Sequence, residues 1–363
     1  MNIHMAIHDV DIDAMLDRAR LQAWLDENTP ELGSGCLKIG LLHGGTSNVI
    51  LSLDRGGRTA VLRRTPPDPP RASIKAIERE ATILTALNDT PVPTPHVYGK
   101  CFDPEVMGSS FYVMERVDGW APELNDRTFR FNAPFDREPL KPQLPHAMID
   151  GLIQLAKVDY KAAGLEDFGK PDGFLERQVD RWGQQLESYK SAYRKYQGRE
   201  IPGLEHVADW LRHNTPQSGA PAIIHGDYGF HNVMFANEPR VRLAAIIDWE
   251  LATIGDPLVD IGWFLGAFRD AREPGVVPAS TYFDPFDFPT RQELAARFVE
   301  GTGRNIDCLD YYLVLALYKG ACIFEYKVAA AMDGLLSGQI GEMFGKLVLD
   351  NIREAQKIVR WHT

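Results

Sequence analysis

An α+β fold of two unequal lobes is what this sequence predicts, and three observations carry the prediction. Residues 1–116 hold short apolar runs broken by turn signals, with one long amphipathic helix pattern among them. Residues 117–363 read mostly as helical periodicity, interrupted by one compact strand–turn–strand signal. Between them, residues 120–145 contain five prolines and little apolar rhythm, which predicts a long loop. The expected organisation is a small antiparallel-sheet lobe (1–116) and a larger helical lobe (117–363).

The elements follow in order. Residues 12–28 carry a helical pattern. The run "LKIGLLHGGTSNVILSLDRGGRTAVLRRTPP" (37–67) reads as strands separated by turns, with "DRGGR" (54–58) a hairpin signal. The cluster "TPPDPP" (65–70) stops the sheet, because proline donates no ladder hydrogen bond. Ser73 is placed to cap a helix over "IKAIEREATILTAL" (74–87). "NDTPVPTPHVYGK" (88–100) reads as loop and "FYVMERVDG" (111–119) as a strand that then breaks. Helices are expected over 146–163, 173–195 and 203–213, with three more after residue 248.

Composition narrows the function. The net charge of −11 disfavours a nucleic-acid partner, which needs a basic footprint. The richest apolar run, "YYLVLALYKGACIF" (311–324), is broken by Lys319 and falls short of the roughly 20 residues a membrane helix requires. "MNIHMAIHDVDIDAML" lacks the basic and apolar regions of a secretory signal. The four cysteines lie far apart without CxxC spacing, which argues against a disulfide framework or a zinc site. A cytoplasmic enzyme is the expectation. One basic exception, 177–199, carries six Lys/Arg against two acids. It reads as a solvated helix face or as a docking surface for an anionic substrate.

The chemistry concentrates in "IIHGDYGFHNVMF" (223–235), where His225, Asp227, His231 and Asn232 sit between apolar runs. Polar groups that dense either satisfy one another or face a ligand. After Asn232 the chain runs "VMFA", turns at "NEPR" and runs "VRLAAIID" to Asp248, a hairpin pattern. With the turn centred at Glu238–Pro239, Asn232 falls near Ala245 and Asp248 lies about 10 Å further along. A small curl would bring the two together as oxygen ligands of Mg²⁺, which usually keeps water and phosphate as its other ligands. Asp227 precedes Asn232 by five residues. The catalytic aspartate and the metal-binding asparagine of protein kinases have the same offset.

"HGDYGFHNVMF…AAIIDWELATIGDPLVDIGWFL" resembles the aminoglycoside phosphotransferase / choline kinase-like superfamily. It is most similar to the phosphotransferase subgroup also found fused to acyl-CoA dehydrogenases. The likeness runs through nearly the whole chain, from "GGTSN" to "GDPLVD". It implies a protein-kinase-like bilobal fold, ATP and Mg²⁺ as cofactors, and a hydroxyl group as phosphate acceptor. Asp227 is then the catalytic base, with Asn232 and Asp248 the metal ligands. The resemblance gives His225 a structural role, makes Asp260 the brace of the catalytic loop, and leaves His231 a loop residue near substrate.

In the first lobe, the resemblance places the loop Gly44, Gly45 and Ser47 over the nucleotide phosphates. Arg63 stands where the family carries a phosphate-contacting lysine, a departure because the two cations are not interchangeable. Arg64 points to the other face of its strand. Helix geometry sets Glu80 closer to the apolar stripe than Glu78, making it the expected partner of Arg63. Backbone groups near Glu115 and Val117 are expected to read the adenine edge.

The leading function is an ATP- and Mg²⁺-dependent phosphotransferase acting on a hydroxyl of a small molecule. A metal-dependent phosphoesterase competes with it, using His225, Asp227, His231 and Asp248 as metal ligands. A nucleotide-binding protein with little transferase activity is a third possibility. The acceptor is expected to be a hydroxyacyl-CoA, favoured by the basic segment, or an aminoglycoside-like compound, favoured by the net charge. Loop 120–145, with Trp120, Phe129, Phe131 and Phe135, is a candidate lid or acceptor wall.

Overall fold

The computed structural model describes residues 16–42, 48–66 and 69–362. Helix α1 (Arg18–Asn28) begins later than the 12–28 pattern suggests. Asp17 accepts the backbone N–H groups of Ala19 and Arg20, at 3.0 and 3.1 Å, and this cap fixes the start.

Five antiparallel strands follow, β1 (Leu37–Leu41), β2 (Val49–Arg55), β3 (Arg58–Arg64), β4 (Val97–Cys101) and β5 (Phe111–Glu115). Their spatial order is β1-β2-β3-β5-β4. Strand β4 falls inside the stretch read as loop. Its prolines lie just upstream, and the Asn88 side chain exchanges two hydrogen bonds of 2.9 Å with the Val97 backbone. An asparagine thus does for this edge what a further strand would do.

The period-two alternation sorts the sheet into two faces. Leu51, Leu62 and Val113 stand side by side in register and share a core with Leu21 and Leu25 of α1. Arg64 is buried on that same side. Ile50, Arg63 and Tyr112 stand in register on the opposite face, towards helix α2 (Arg71–Leu87). Pro70, rather than Ser73, opens α2, and its carbonyl accepts the Ser73 N–H at 2.9 Å. Proline's fixed φ prepares a helical first turn, so the helix starts ahead of the serine. Ile77, Ala81 and Leu84 of α2 join the core of the helical half, not the one beneath α1.

The proline-rich stretch 120–145 is not structureless. It contains a short α-free hairpin, β6 (Glu123–Asn125) and β7 (Thr128–Arg130). Asp126 and Arg127 between them both have positive φ, as a two-residue turn of this kind requires. Trp120 is buried and stacks on Phe135 and Phe235, with ring centroids 5.2 and 5.1 Å apart.

The helical half comprises α4 (Leu144–Lys157), α5 (Gln178–Ala192) and α6 (Leu204–His213), after a single short turn α3 (Pro104–Met107) in the first half. Beyond residue 257 come α7 (Leu258–Leu265), α8 (Arg291–Thr302), α9 (Leu309–Met332) and α10 (Gly338–Val359). That is one more than expected. Helix α7 is short and apolar nearly all round, so it shows no stripe to read. Two small antiparallel pairs lie between α6 and α7: β8 (Ala222–Ile224) with β11 (Thr253–Gly255), and β9 (Val233–Phe235) with β10 (Leu243–Ile246). These pairs carry the polar motif. Among the described residues no helix is long and apolar enough to cross a membrane.

Candidate active site

The loop from His225 to Asn232 leaves β8 and enters β9, and three groups hold its shape. Asp260, in the first turn of α7, accepts the backbone N–H groups of His225 and Gly226 at 2.6 and 2.8 Å. Gly226 has a φ of +88°, and a Cβ there would sit 2.7 Å from the carbonyl oxygen of Leu251. Both facts demand glycine. His225 is fully buried, with one ring nitrogen 2.9 Å from the Ile247 carbonyl and the other 3.2 Å from the Asp227 N–H. A carbonyl only accepts and an N–H only donates, so the ring is the neutral Nε2–H tautomer. Burial pushes its pKa down, consistent with that state.

Both nitrogens of His225 are therefore committed, and it cannot join Asp227, His231 and Asp248 as a metal ligand. That removes the ligand set on which the phosphoesterase reading rests. Among the described residues no group of three or more His, Cys, Asp or Glu is placed to hold a metal.

The carboxylate of Asp227 faces a cavity and is bound on one side. Its Oδ2 lies 3.3 Å from His231 Nε2 and accepts from Asn232 Nδ2 at 3.1 Å. Burial works to raise the Asp227 carboxyl, but the His231 hydrogen bond and the charges of His231 and Lys319 hold it below the usual range. His231 is thus a direct neighbour of Asp227.

Asn232 and Asp248 approach one another by a different route from the expected curl. A register shift between Leu243 and Ala245 in β10 inserts an extra residue. The Asn232 carbonyl consequently accepts the N–H of Ile247, at 2.9 Å, instead of lying opposite Ala245. Asp248 is then one residue beyond that contact rather than three. A bulge re-aims a side chain in this way. Asp248 itself has a φ of +64°, uncommon for a side-chain-bearing residue.

Asp248 and Asn232 offer hard oxygen donors, and Asp248 is 38% exposed. That donor set suits Mg²⁺ completed by water and phosphate oxygens. Across the cleft, Arg63 donates to Asp248 at 3.0 Å and pairs with Glu80 at 3.1 Å. Glu78 turns away and accepts from Ser110 at 2.9 Å. Glu80, 1% exposed, also accepts the Trp249 N–H at 3.2 Å. Burial pushes the Glu80 carboxyl up to about 7 against the pull of Arg63. The guanidinium of Arg63 stays charged, because Glu80, Tyr112 and Asp248 outweigh its own burial.

The other nucleotide-site expectations divide. Gly44, Gly45 and Ser47 lie outside the described residues. The Glu115 N–H is taken by the His96 carbonyl at 2.7 Å. The chain then crosses to the helical half, where Trp120 and Phe235 exchange backbone hydrogen bonds of 2.8 Å.

Two features escaped the sequence reading. One is a cavity of about 690 Å³ leading away from Asp227, walled by Phe129, Phe230, Phe264, Phe283, Phe324 and Phe344 among others. Leu124, Arg127 and Phe129 bring the 120–145 segment into its wall. The other is Lys319 of α9, 4% exposed, which donates to the Gly226 carbonyl and lines the same cavity. Its signal was the one cation inside the apolar run 311–324. Burial pushes its pKa down to about 8, with Asp227 and Asp260 pulling the other way.

The basic segment 177–199 is largely consumed internally. Arg177 caps the carbonyls of Lys170 and Asp172, Lys190 pairs with Glu187, and Arg199 grips buried Glu325. Arg181 stacks over Trp182, 4.7 Å from its centroid. Arg181, Arg194 and Lys195 remain exposed.

A model of the phosphotransferase enzyme family matches residues 38–304. Human acyl-CoA dehydrogenase family member 11 is 29% identical over 340 residues, covering 92% of this chain and 42% of that protein. The chain therefore spans less than half the length of that relative. A putative aminoglycoside phosphotransferase from Ralstonia eutropha is 29% identical, with a TM-score of 0.75 over 94% of this chain and 98% of that one. The GDP complex of aminoglycoside 2'-phosphotransferase-IIIa shares the fold at 13% identity, with a TM-score of 0.57 over 93% of this chain and 99% of that one.

Proposed function

This chain belongs to the phosphotransferase enzyme family, and from that premise we propose that it moves the γ-phosphoryl group of ATP to a hydroxyl on a small, largely apolar molecule. The observation that carries the proposal is the position of Asp227. Its carboxylate faces the aromatic cavity on one side and holds Asn232, next to the Asp248–Arg63 pair, on the other. Acceptor and nucleotide would meet there.

In this mechanism Asp227 accepts the proton of the acceptor hydroxyl and orients its oxygen at the γ-phosphorus. The new O–P bond forms as the bond to the β,γ-bridging oxygen breaks, and ADP leaves. Positioning and charge stabilisation supply most of the acceleration in such transfers. Arg63 presents its guanidinium to the phosphates from a frame set by Glu80. The carbonyl of Glu115 and the N–H of Val117 read the adenine edge, and Gly44, Gly45 and Ser47 cover the phosphates. Asn232 and Asp248 would hold Mg²⁺, which neutralises charge on the phosphate oxygens when bound. Asp260 and His225 keep the loop rigid.

The aromatic cavity favours a hydroxyacyl-CoA over a polycationic aminoglycoside, because aromatic and aliphatic side chains dominate its described lining and Asp227 and Glu250 are the carboxylates it offers to several ammonium groups. The human relative's name, an acyl-CoA dehydrogenase, fits an acyl acceptor. A transfer screen across hydroxyacyl-CoAs, amino alcohols and aminoglycosides tests the reading. Phosphorylation of a hydroxyacyl compound supports it, whereas release of free phosphate with no acceptor modified contradicts it.

A further inference from the structure

Lys319 is an expensive residue to bury, and the transfer mechanism gives it no contact with substrate beyond the pull of its charge on Asp227. Its ammonium carries three N–H donors, and one of them goes to the Gly226 carbonyl. Its other close neighbours are aromatic faces, while the charges of Asp227 and Asp260 act on it from beyond contact distance. The ring centroid of Trp263 lies 4.0 Å from Nζ and that of Trp182 lies 5.3 Å away. Indole faces attract a cation but accept no conventional hydrogen bond. Among the described residues no carboxylate reaches salt-bridge distance of Lys319. A buried cation without such a partner is costly unless something else completes its shell.

The position supplies the something else. Lys319 lines the aromatic cavity at the end where Asp227, the residue next to its hydrogen-bond partner, also opens. A molecule whose hydroxyl rests on Asp227 therefore passes Lys319 within a few bonds. Among the described lining residues the lysine and arginine cations are Lys319 and Arg127, and of the two Lys319 is buried while Arg127 is exposed, so an acceptor oxygen deep in the largely aromatic cavity finds its cationic donor at Lys319.

Resting on the phosphoryl-transfer reading, we propose that Lys319 is a specificity-determining residue that binds a carbonyl or carboxylate oxygen of the acceptor, a few bonds from the hydroxyl that Asp227 holds. The preferred acceptor is then a hydroxy acid, ester or thioester on an apolar chain, and a plain alcohol of the same length binds less well. Tethering the Gly226 carbonyl alone would give no such preference.

Equilibrium binding separates the two. The full chain is titrated calorimetrically with eight-carbon acids bearing the hydroxyl three, four or five carbons from the acid group, with their methyl esters, and with the matching alcohols in which the acid carbon is a methyl. At least one acid or ester should bind roughly 10- to 100-fold tighter than its oxygen-free counterpart, the range of a hydrogen bond to a charged group. Lys319→Met should abolish that preference, so that acids, esters and alcohols bind alike, and Lys319→Arg should retain part of it. A preference for acid over ester identifies a carboxylate, and equal binding of both identifies a carbonyl.

Equal affinity for acids, esters and alcohols in the unaltered protein overturns the proposal. So does a Lys319→Met protein that melts normally and keeps the preference, or loses affinity for all three classes alike. If the variant fails to fold, the comparison within the unaltered protein decides. Should no compound be phosphorylated while the preference persists, the transfer reading fails and the role of Lys319 stands.

Discussion

Arg63 of β3 donates to Asp248, 3.0 Å away and 185 residues further along the chain. Its other amine holds Glu80 of α2 at 3.1 Å. One guanidinium thus joins sheet, helix and hairpin end, and does so where a lysine was expected. The forked group reaches two carboxylates at once, which a single ammonium on a flexible stem does less well. Above pH 7, where the Glu80 carboxyl is ionised, Arg63→Met should strand the buried Glu80 and destabilise the fold by roughly 3–5 kcal/mol, as removal of one partner of a buried pair does. Arg63→Lys should recover part of that stability and less of the nucleotide affinity. Denaturant midpoints and nucleotide titrations of the two variants check this, and a Lys variant equal to the parent in both would show that the fork is dispensable.

Glu80 makes stability depend on pH. Its folded carboxyl holds a proton up to about pH 7, whereas the ordinary value is 4.5. Folding therefore takes up a proton between those values, and stability falls as pH rises through the window. Relative to Glu80→Gln, which cannot titrate, the parent should lose up to roughly 3 kcal/mol from the acid to the alkaline side of the window. Parallel stability curves for the two proteins would place the Glu80 pKa near its ordinary value.

Gly226 should tolerate no side chain. A Cβ would meet the Leu251 carbonyl at 2.7 Å in a backbone region that L-residues avoid. Gly226→Ala should cost on the order of 1–3 kcal/mol and also displace Asp227, so that melting temperature and transfer rate both fall. A variant that melts and turns over like the parent would mean the loop relaxes freely.

Asp248→Asn should uncouple nucleotide binding from Mg²⁺. In the parent, adding Mg²⁺ should tighten nucleotide binding, and in the variant that increment should largely disappear, since a neutral amide is a poor substitute for a carboxylate on a hard cation. An equal increment in both would take Asp248 out of the metal-binding set.

The parts legible in advance were those with a local rule behind them. The sheet hairpin at 54–58, the α2 stripe and the choice of Glu80 over Glu78 as the partner of Arg63 follow from periodicity alone. Strand β4 was hidden because it is short, follows a proline-rich loop and pairs with β5 without an apolar alternation of its own. The turn and the bulge each shift the hairpin by one residue and leave no composition signal, so counting along it misplaced Asp248 by two residues. Lys319 and the cavity arise from α9 packing against a loop far away in the chain, a long-range contact that a single sequence does not display. The 120–145 segment was read as a long loop and candidate acceptor wall, and Leu124, Arg127 and Phe129 do line the cavity; what escaped was its short hairpin and its burial. Its prolines suggested a loop, while Phe129 and Trp120 are buried by partners elsewhere.

The most direct test of the central claim is phosphoryl transfer by Asp227→Asn, measured beside nucleotide affinity on the same preparation. Transfer to a hydroxyacyl acceptor should fall about 10²–10⁴-fold, the usual contribution of a positioned base, while nucleotide affinity stays unchanged. Transfer at the parental rate would show that the Asp227 carboxylate plays no part in the chemistry.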